Sequence, residues 1–245
     1  MTRWGPILAG TVVLGVTACG PPVPAPVCGS SNTLVQRRYG LQCGPTLDFT
    51  PINSYQGEFA DLAQAREDAV ALINGNCTGT LIEASAGPVV LTAGHCTRLG
   101  DRPLLVFNFE DNPDGDPLIT EGTVIEHAPE PDYALIELDV LPAVTPVLLT
   151  DQPSETLAII QHPRGRPKVI AEGEFLDSCD QLVYYTDDTL VGSSGAGVLN
   201  RQGHLLGIHT KGDCDESGHG SNSGWTAEAI VQASLYLQYA DIDDR

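Results

Sequence analysis

The 245-residue sequence predicts an all-β fold of the barrel type, on three observations. From Val70 onward it is a succession of short apolar runs bounded by Gly, Pro, Asn or Asp, the pattern of many short strands joined by turns. No self-similarity recurs at the spacing of a solenoid, so the runs belong to one closed architecture rather than a stack of repeats. With 42% apolar residues the chain can bury a substantial core, as one domain or a compact pair of subdomains.

The first element is not part of that fold. Arg3 precedes the apolar stretch Ile7 to Val16, too short to span a bilayer and typical of an export signal, followed by Val16-Thr17-Ala18-Cys19. PPVPAP at 21–26 has the composition of a semi-rigid spacer. Residues 27–60 carry turn formers and the dibasic pair Arg37-Arg38 without periodicity, and read equally as a pro-segment or an extended strap. The expected organisation is therefore a signal at 1–18, a spacer and possible pro-segment at 19–60, and a folded domain at 61–245. Asp61 to Asp68 suits a short helix.

The strands follow: VALI at 70–73, GTLI at 79–82, PVVLTA at 88–93, LLVFNF at 104–109, TVIEH at 123–127 and YALIEL at 133–138. A second set comprises TLAIIQHP at 156–163, KVIAEGEF at 168–175, QLVYYT at 181–186, AGVLN at 196–200 and HLLGIHT at 204–210. Thr226 to Tyr239 is the best helix, with Ile230, Val231, Leu235 and Leu237 on an apolar side.

Net charge is −20, from 32 acidic and 12 basic residues, which argues against nucleic acid or anionic lipid headgroups as partners. Setting Cys19 aside, Cys28, Cys43, Cys77, Cys96, Cys179 and Cys214 form an even set in an exported chain, and three disulfides are the natural reading. A cysteine metal site would be the alternative, but no C-x-x-C pair occurs.

The chemistry lies in three strings: LTAGHC at 91–96, DYALIEL at 132–138 and GSSGAGV at 192–198. A serine nucleophile needs an imidazole to accept its proton, and the imidazole needs a carboxylate to fix its tautomer and stabilise its charge. His95, Asp132 and Ser194 supply that set. An α/β-hydrolase would order them Ser, acid, His around a G-x-S-x-G elbow, and Ala196 breaks that elbow.

The strings and their order resemble the chymotrypsin-like (trypsin-fold) serine proteases over roughly residues 65–240 of this chain. The resemblance implies two six-stranded antiparallel Greek-key β-barrels with a C-terminal helix, the site lying in the cleft between them. It implies His95 as general base then acid, Asp132 as its orienter and Ser194 as nucleophile through an acyl-enzyme, with the N–H groups of Gly192 and Ser194 as oxyanion hole. No cofactor or metal is required, and substrates are proteins or peptides. Cys77 with Cys96 matches the family's bridge across the histidine loop. Cys179 with Cys214 would bracket the serine loop, leaving Cys28 with Cys43. Ser193 stands where the trypsin branch carries an aspartate that pairs with a freshly cut N-terminus, a departure that puts that activation route in question here. VTAC resembles the bacterial lipobox, which would make Cys19 a lipidated first residue and place the chain at the outer membrane or cell surface. An ordinary signal would leave it secreted or periplasmic.

Two specificity readings compete. His209 lies fifteen residues after Ser194 and Thr189 five before it, as in the glutamyl endopeptidase subgroup, with Thr210, Lys211 and Gly212 alongside. Asp188 stands where trypsin-like enzymes carry the carboxylate that binds Arg or Lys. A surface binding protein that keeps the fold without turnover is the rival of another class, left open by Ser193, Ala196 and Gly197. IIQHPRGRPKVI at 159–170 resembles a strand and loop of the bacterial subgroup, and His162 is assigned no catalytic role. DNPDGDP at 111–117 departs from EF-hand spacing and reads as a solvated turn rather than a calcium loop.

Overall fold

A computed structural model describes Met1 and residues 42–243. The expected signal, Cys19, the 21–26 spacer, Cys28 and Arg37-Arg38 lie outside the described residues. Residues 70–138 close into a barrel whose strands follow one another as Val70–Ile73, Cys77–Ile82, Val89–Thr92, Asp132–Leu138, Leu118–Pro129 and Leu104–Phe107. Residues 156–226 form a second ring: Thr156–Gln161, Val169–Cys179, Leu182–Tyr185, Asn222–Thr226, Leu205–Lys211 and Gly197–Leu199, the last pairing back with the first. Numbered by chain order, both rings read 1-2-3-6-5-4. Every pairing around the two rings is antiparallel.

Closure explains why several strands are apolar without alternation. Val70–Ile73, Cys77–Ile82 and Val89–Thr92 are buried at every residue. One apolar cluster takes in Leu91, Leu135 and Ile136 of the first ring with Ile160, Leu205 and Ile208 of the second, so the barrels share a continuous core. That contact places the first ring's Gly94–Cys96 turn and the second ring's 190–196 loop on a common face.

Residues 42–60 strap the second barrel. Thr50 pairs with Ile170, and Ile52 and Phe59 are buried in the core. The helix expected at 61–68 is α over Ala60–Arg66 and continues as a 3-10 turn over Glu67–Ala69. The C-terminal helix is shorter than the sequence suggested. It runs Ala227–Ala233, capped by the Thr226 hydroxyl on the Ala229 N–H. Its end is set by a distant residue, Glu126, whose carboxylate accepts from the Ser234 hydroxyl and the Leu235 N–H. Ile230, Val231 and Leu237 are buried as expected, whereas Leu235 is 91% exposed.

A fully buried Lys168 ties the strap side to the first barrel. Its Nζ donates to the Glu67 carbonyl at 2.7 Å, to Glu110 Oε1 at 2.7 Å and to the Glu67 carboxylate, while Asn53 donates to Glu110 Oε2 at 2.6 Å. Burial and the Glu110 hydrogen bond push Glu67 up to about 8. Burial also acts to raise Glu110, but its hydrogen bond to Glu67 and the Lys168 charge outweigh this and hold it below its ordinary value. Removing the cation strands two desolvated carboxyls, a cost of about 3–5 kcal/mol for a broken buried pair. Lys168→Met is therefore expected to lose about that much unfolding free energy near neutral pH. Glu110 is the carboxyl held low with the help of the Lys168 charge, so without Lys168 its folded-state pKa moves up towards or above the unfolded value, and the deficit relative to wild type grows as pH rises through the carboxylate range. Denaturant unfolding at about pH 7 and about pH 4 should show a smaller deficit at the lower pH; an equal deficit at both would refute the assignment.

Candidate functional site

His95 sits in the Gly94–Cys96 turn that follows strand Val89–Thr92. Asp132, first residue of strand Asp132–Leu138, grips it twice: Oδ1 accepts from the His95 backbone N–H at 2.8 Å and Oδ2 contacts Nδ1 at 2.6 Å. Gly94 makes this approach feasible, since a Cβ there would lie 2.4 Å from the Ala128 carbonyl oxygen and 2.9 Å from Asp132 Oδ1. With the carboxylate on Nδ1, the Nε2 lone pair is left to accept a proton. The Asp132 hydrogen bond raises the His95 pKa above its ordinary 6.5, against the opposing effect of burial.

Ser194 lies against this turn, its carbonyl oxygen 3.8 Å from Cys96 Sγ and accepting from the Thr78 N–H at 2.9 Å. Gly195 permits that contact: its φ is +83° and a Cβ would meet Thr92 Oγ1 at 2.2 Å. Ser193 is buried and closes a tight turn, its hydroxyl accepting from the Leu190 N–H at 3.0 Å and its N–H donating to the Leu190 carbonyl at 2.9 Å. Neither the Gly192 nor the Ser194 N–H donates to any group among the described residues. The turn thus presents two amides with no acceptor, the donor pattern an oxyanion needs.

His209 lies behind these groups, almost fully buried, its backbone N–H donating to the Ala196 carbonyl at 2.8 Å and its Nδ1 2.7 Å from the Tyr185 hydroxyl. Burial and then repulsion from His95 push its pKa down to about 3, so the ring is neutral. Asp188 is turned away from it. Both its oxygens accept from the strap, Oδ1 from the Cys43 N–H at 2.6 Å and Oδ2 from the Asp48 N–H at 2.7 Å. Thr189 is buried, its hydroxyl 3.2 Å from Asn222 Nδ2, which also donates to the Asp187 carbonyl at 2.7 Å. Thr210 and Gly212 are half-buried. Lys211 is exposed and paired with Asp213 at 2.5 Å, which takes its charge away from His209.

These groups fit a known pattern in sequence as well. Residues 77–208, more than half of the chain, match the model of the trypsin-like peptidase domain. The chain belongs to the trypsin-like peptidase family. Solved structures agree on the fold. The chain is similar to Deg5 (17% identity, TM-score 0.58, 76% of this chain and 96% of that one). It is also similar to the active form of the Rv3671c protease from M. tuberculosis (16%, 0.57, 72% and 83%). A third likeness is to a serine endoprotease from Yersinia pestis (14%, 0.58, 73% and 66%). No curated protein matches.

The disulfides of this trypsin-like peptidase correct part of the expected pairing. Cys77–Cys96 is present, with Cα atoms 6.2 Å apart, and links the two strands that carry Thr78 and lead to His95. Cys214, however, pairs with Cys43 at a Cα separation of 4.8 Å, so neither Cys179–Cys214 nor Cys28–Cys43 forms. The strap is the reason. Hydrogen bonds from Cys43 to Asp188 and from the Gly44 N–H to the Asp215 carbonyl lay residues 43–44 directly on the Cys214 loop. Cys179 is also disulfide-bonded, and Cys28 lies outside the described residues.

Of the acidic loop at 111–117, Asp114 comes together with Glu67 and Asp68, one carboxylate oxygen of each lying within 4.8 Å of the others. Asp111 and Asp116 do not join that group. Four participants were not legible in the sequence: Thr78 under the serine loop, Tyr185 on His209, Asn222 on Thr189, and Asp187, whose buried carboxyl has no hydrogen-bond partner on another residue among the described residues and is pushed far above the carboxylate range by burial. Only Asp187 carried a cue, its place beside Asp188.

Proposed function

We propose that the peptidase is a serine endopeptidase in which Ser194 attacks the scissile carbonyl and His95 accepts its proton. Asp132 holds the imidazole in the tautomer with its proton on Nδ1, and the Gly192 and Ser194 N–H groups receive the developing oxyanion. The acyl-enzyme is then hydrolysed by water activated by His95. The observation that carries this reading is the double grip of Asp132 on His95 opposite two amides without acceptors. The Leu190–Ser193 turn holds the serine loop without the N-terminal ion pair of the trypsin branch, so catalytic geometry needs no new N-terminus.

The same geometry favours an acidic over a basic P1 residue. Asp188 has each oxygen already accepting from a strap amide, which holds its carboxyl on the strap rather than leaving it to receive an Arg or Lys side chain. Tyr185 keeps its proton, because burial raises its pKa well above the ordinary value, and its hydroxyl donates to His209 Nδ1. The His209 proton then sits on Nε2, where it can donate to a P1 carboxylate. Incubating the chain with a P1-randomised peptide library beside a Ser194→Ala control tests both points. Cleavage after Glu that the control lacks is expected; cleavage after Lys or Arg overturns the specificity reading, and cleavage by the control at a rate near that of wild type overturns the nucleophile. Export and lipidation at Cys19 complete the proposal, supported by the signal and VTAC alone, and the intact mass of the exported chain decides that part.

A further inference from the structure

We propose that Arg164 is a positioning residue for the Gly192 amide, acting through its backbone, an inference that rests on the serine-endopeptidase reading. A trans peptide points the carbonyl of one residue and the N–H of the next in opposite directions, so holding that carbonyl aims that N–H. The Ser194 N–H shares a peptide with the Ser193 carbonyl, which accepts from the Ala196 N–H at 2.9 Å, so the serine loop sets this amide itself. The Gly192 N–H shares a peptide with the Val191 carbonyl, which is held from outside the loop, by the Arg164 N–H at 2.6 Å. The Val191 side chain gives that peptide no anchor, since the residue is 71% exposed. Glycine populates positive and negative φ about equally, so nothing intrinsic to Gly192 selects its φ of +100°. The Arg164 N–H makes the selection.

The Arg164 N–H is aimed by the same rule. It shares a peptide with the Pro163 carbonyl, which accepts from the Arg166 N–H at 3.1 Å. The Gly165 N–H donates to the His162 carbonyl at 3.0 Å, closing a four-residue turn with Pro163 second and Arg164 third. Proline fixes φ at about −65°, and Arg164 has φ +58° and ψ +26°, the sign pattern of a type II turn. A third residue with negative φ would make the turn type I, and the two types differ by a half-rotation of the central peptide, here Pro163–Arg164. The left-handed backbone of Arg164 therefore decides whether its N–H faces Val191. The turn is braced on both sides. A Cβ on Gly165 would lie 2.1 Å from the Gly75 carbonyl oxygen, and the buried His162 ring places Nδ1 3.0 Å from the Arg166 carbonyl. The Arg164 side chain is exposed, so the role belongs to its backbone.

The test compares wild type with Arg164→Val, Arg164→Asn and Ser194→Ala. A β-branched side chain resists a left-handed backbone, whereas asparagine adopts it readily and, like valine, lacks the guanidinium. The readouts are the rate of inactivation by diisopropyl fluorophosphate, and kcat and KM on a peptide cleaved from the library, per mole of folded protein. Arg164→Val should react about 10- to 100-fold more slowly, part of the loss seen when an oxyanion donor is deleted outright. Its kcat should fall by the same factor with KM within about twofold, since the amide aids the transition state and not substrate binding. Arg164→Asn should stay within about threefold of wild type, and the acidic limb of the pH profile should not move in either variant because His95 and Asp132 are untouched. If Arg164→Val does not fold, Arg164→Ala, which also disfavours the left-handed region, is read against Arg164→Asn in its place. An Arg164→Val rate equal to wild type, or a loss carried by KM, overturns the inference. An Arg164→Asn rate as low as Arg164→Val overturns it too, since the effect would then belong to the guanidinium. A wild type that reacts no faster than Ser194→Ala overturns the serine-endopeptidase reading beneath it.

Discussion

Ser194→Ala is expected to lower kcat by about 10⁶-fold while leaving KM within about twofold. On the proposed mechanism the substitution removes the attacking oxygen but neither the amides of Gly192 and Ser194 nor the groups that bind substrate. A residual acceleration of about 10³- to 10⁴-fold over water should therefore persist, the part owed to the oxyanion site and to binding. Adding Asp132→Asn to Ser194→Ala should cost almost nothing more, because with no nucleophile there is no proton for His95 to accept. Single-turnover assays of the two single variants and the double variant measure this non-additivity. Multiplying losses would mean that Asp132 acts on something other than the Ser194–His95 pair.

Asp132→Asn alone is expected to cost about 10⁴-fold in kcat. The carboxylate accepts from both the His95 backbone N–H and Nδ1, at 2.8 and 2.6 Å. An amide has one oxygen to offer. If it keeps the backbone N–H, its NH₂ faces Nδ1, which must then accept, and the proton moves to Nε2, where the base needs a lone pair. The pH profile should change with it. The Asp132 hydrogen bond is the main cause of the raised His95 pKa, so the acidic limb of kcat/KM in wild type should lie above 6.5 and move down in the variant. The stability linkage has the matching sign: protonated His95 paired with Asp132 stabilises the fold below 6.5, and that contribution is lost as pH rises through the raised folded-state value. A limb that stays in place would show that Asp132 does not face the His95 ring in solution.

The strands and the histidine and aspartate positions were legible because their signals are local. Runs such as VALI and YALIEL declare themselves by apolar composition between turn residues, and LTAGHC and DYALIEL carry the histidine and its carboxylate at strand ends. The C-terminal helix was legible in kind but not in length. Its apolar spacing continues through Leu235, yet Glu126 captures Ser234 and Leu235 and stops it at Ala233. Asp188 shows the same limit more sharply. Its place six residues before Ser194 suggested a charge for the substrate, while its two acceptors are taken by backbone amides more than a hundred residues earlier.

By itself the sequence determined the all-β class, the order of the elements and the residue types present at the candidate site, since each depends on side chains close together in the chain. The tertiary structure decided which partners those residues meet. It set Cys43 rather than Cys179 on Cys214, turned Asp188 to the strap, paired Tyr185 with His209 and put Thr78 beneath the serine loop. The physical reason is that a buried polar group must find a partner within about 3 Å wherever the chain supplies one. In a pair of closed barrels, that partner comes from strands and loops far away in sequence.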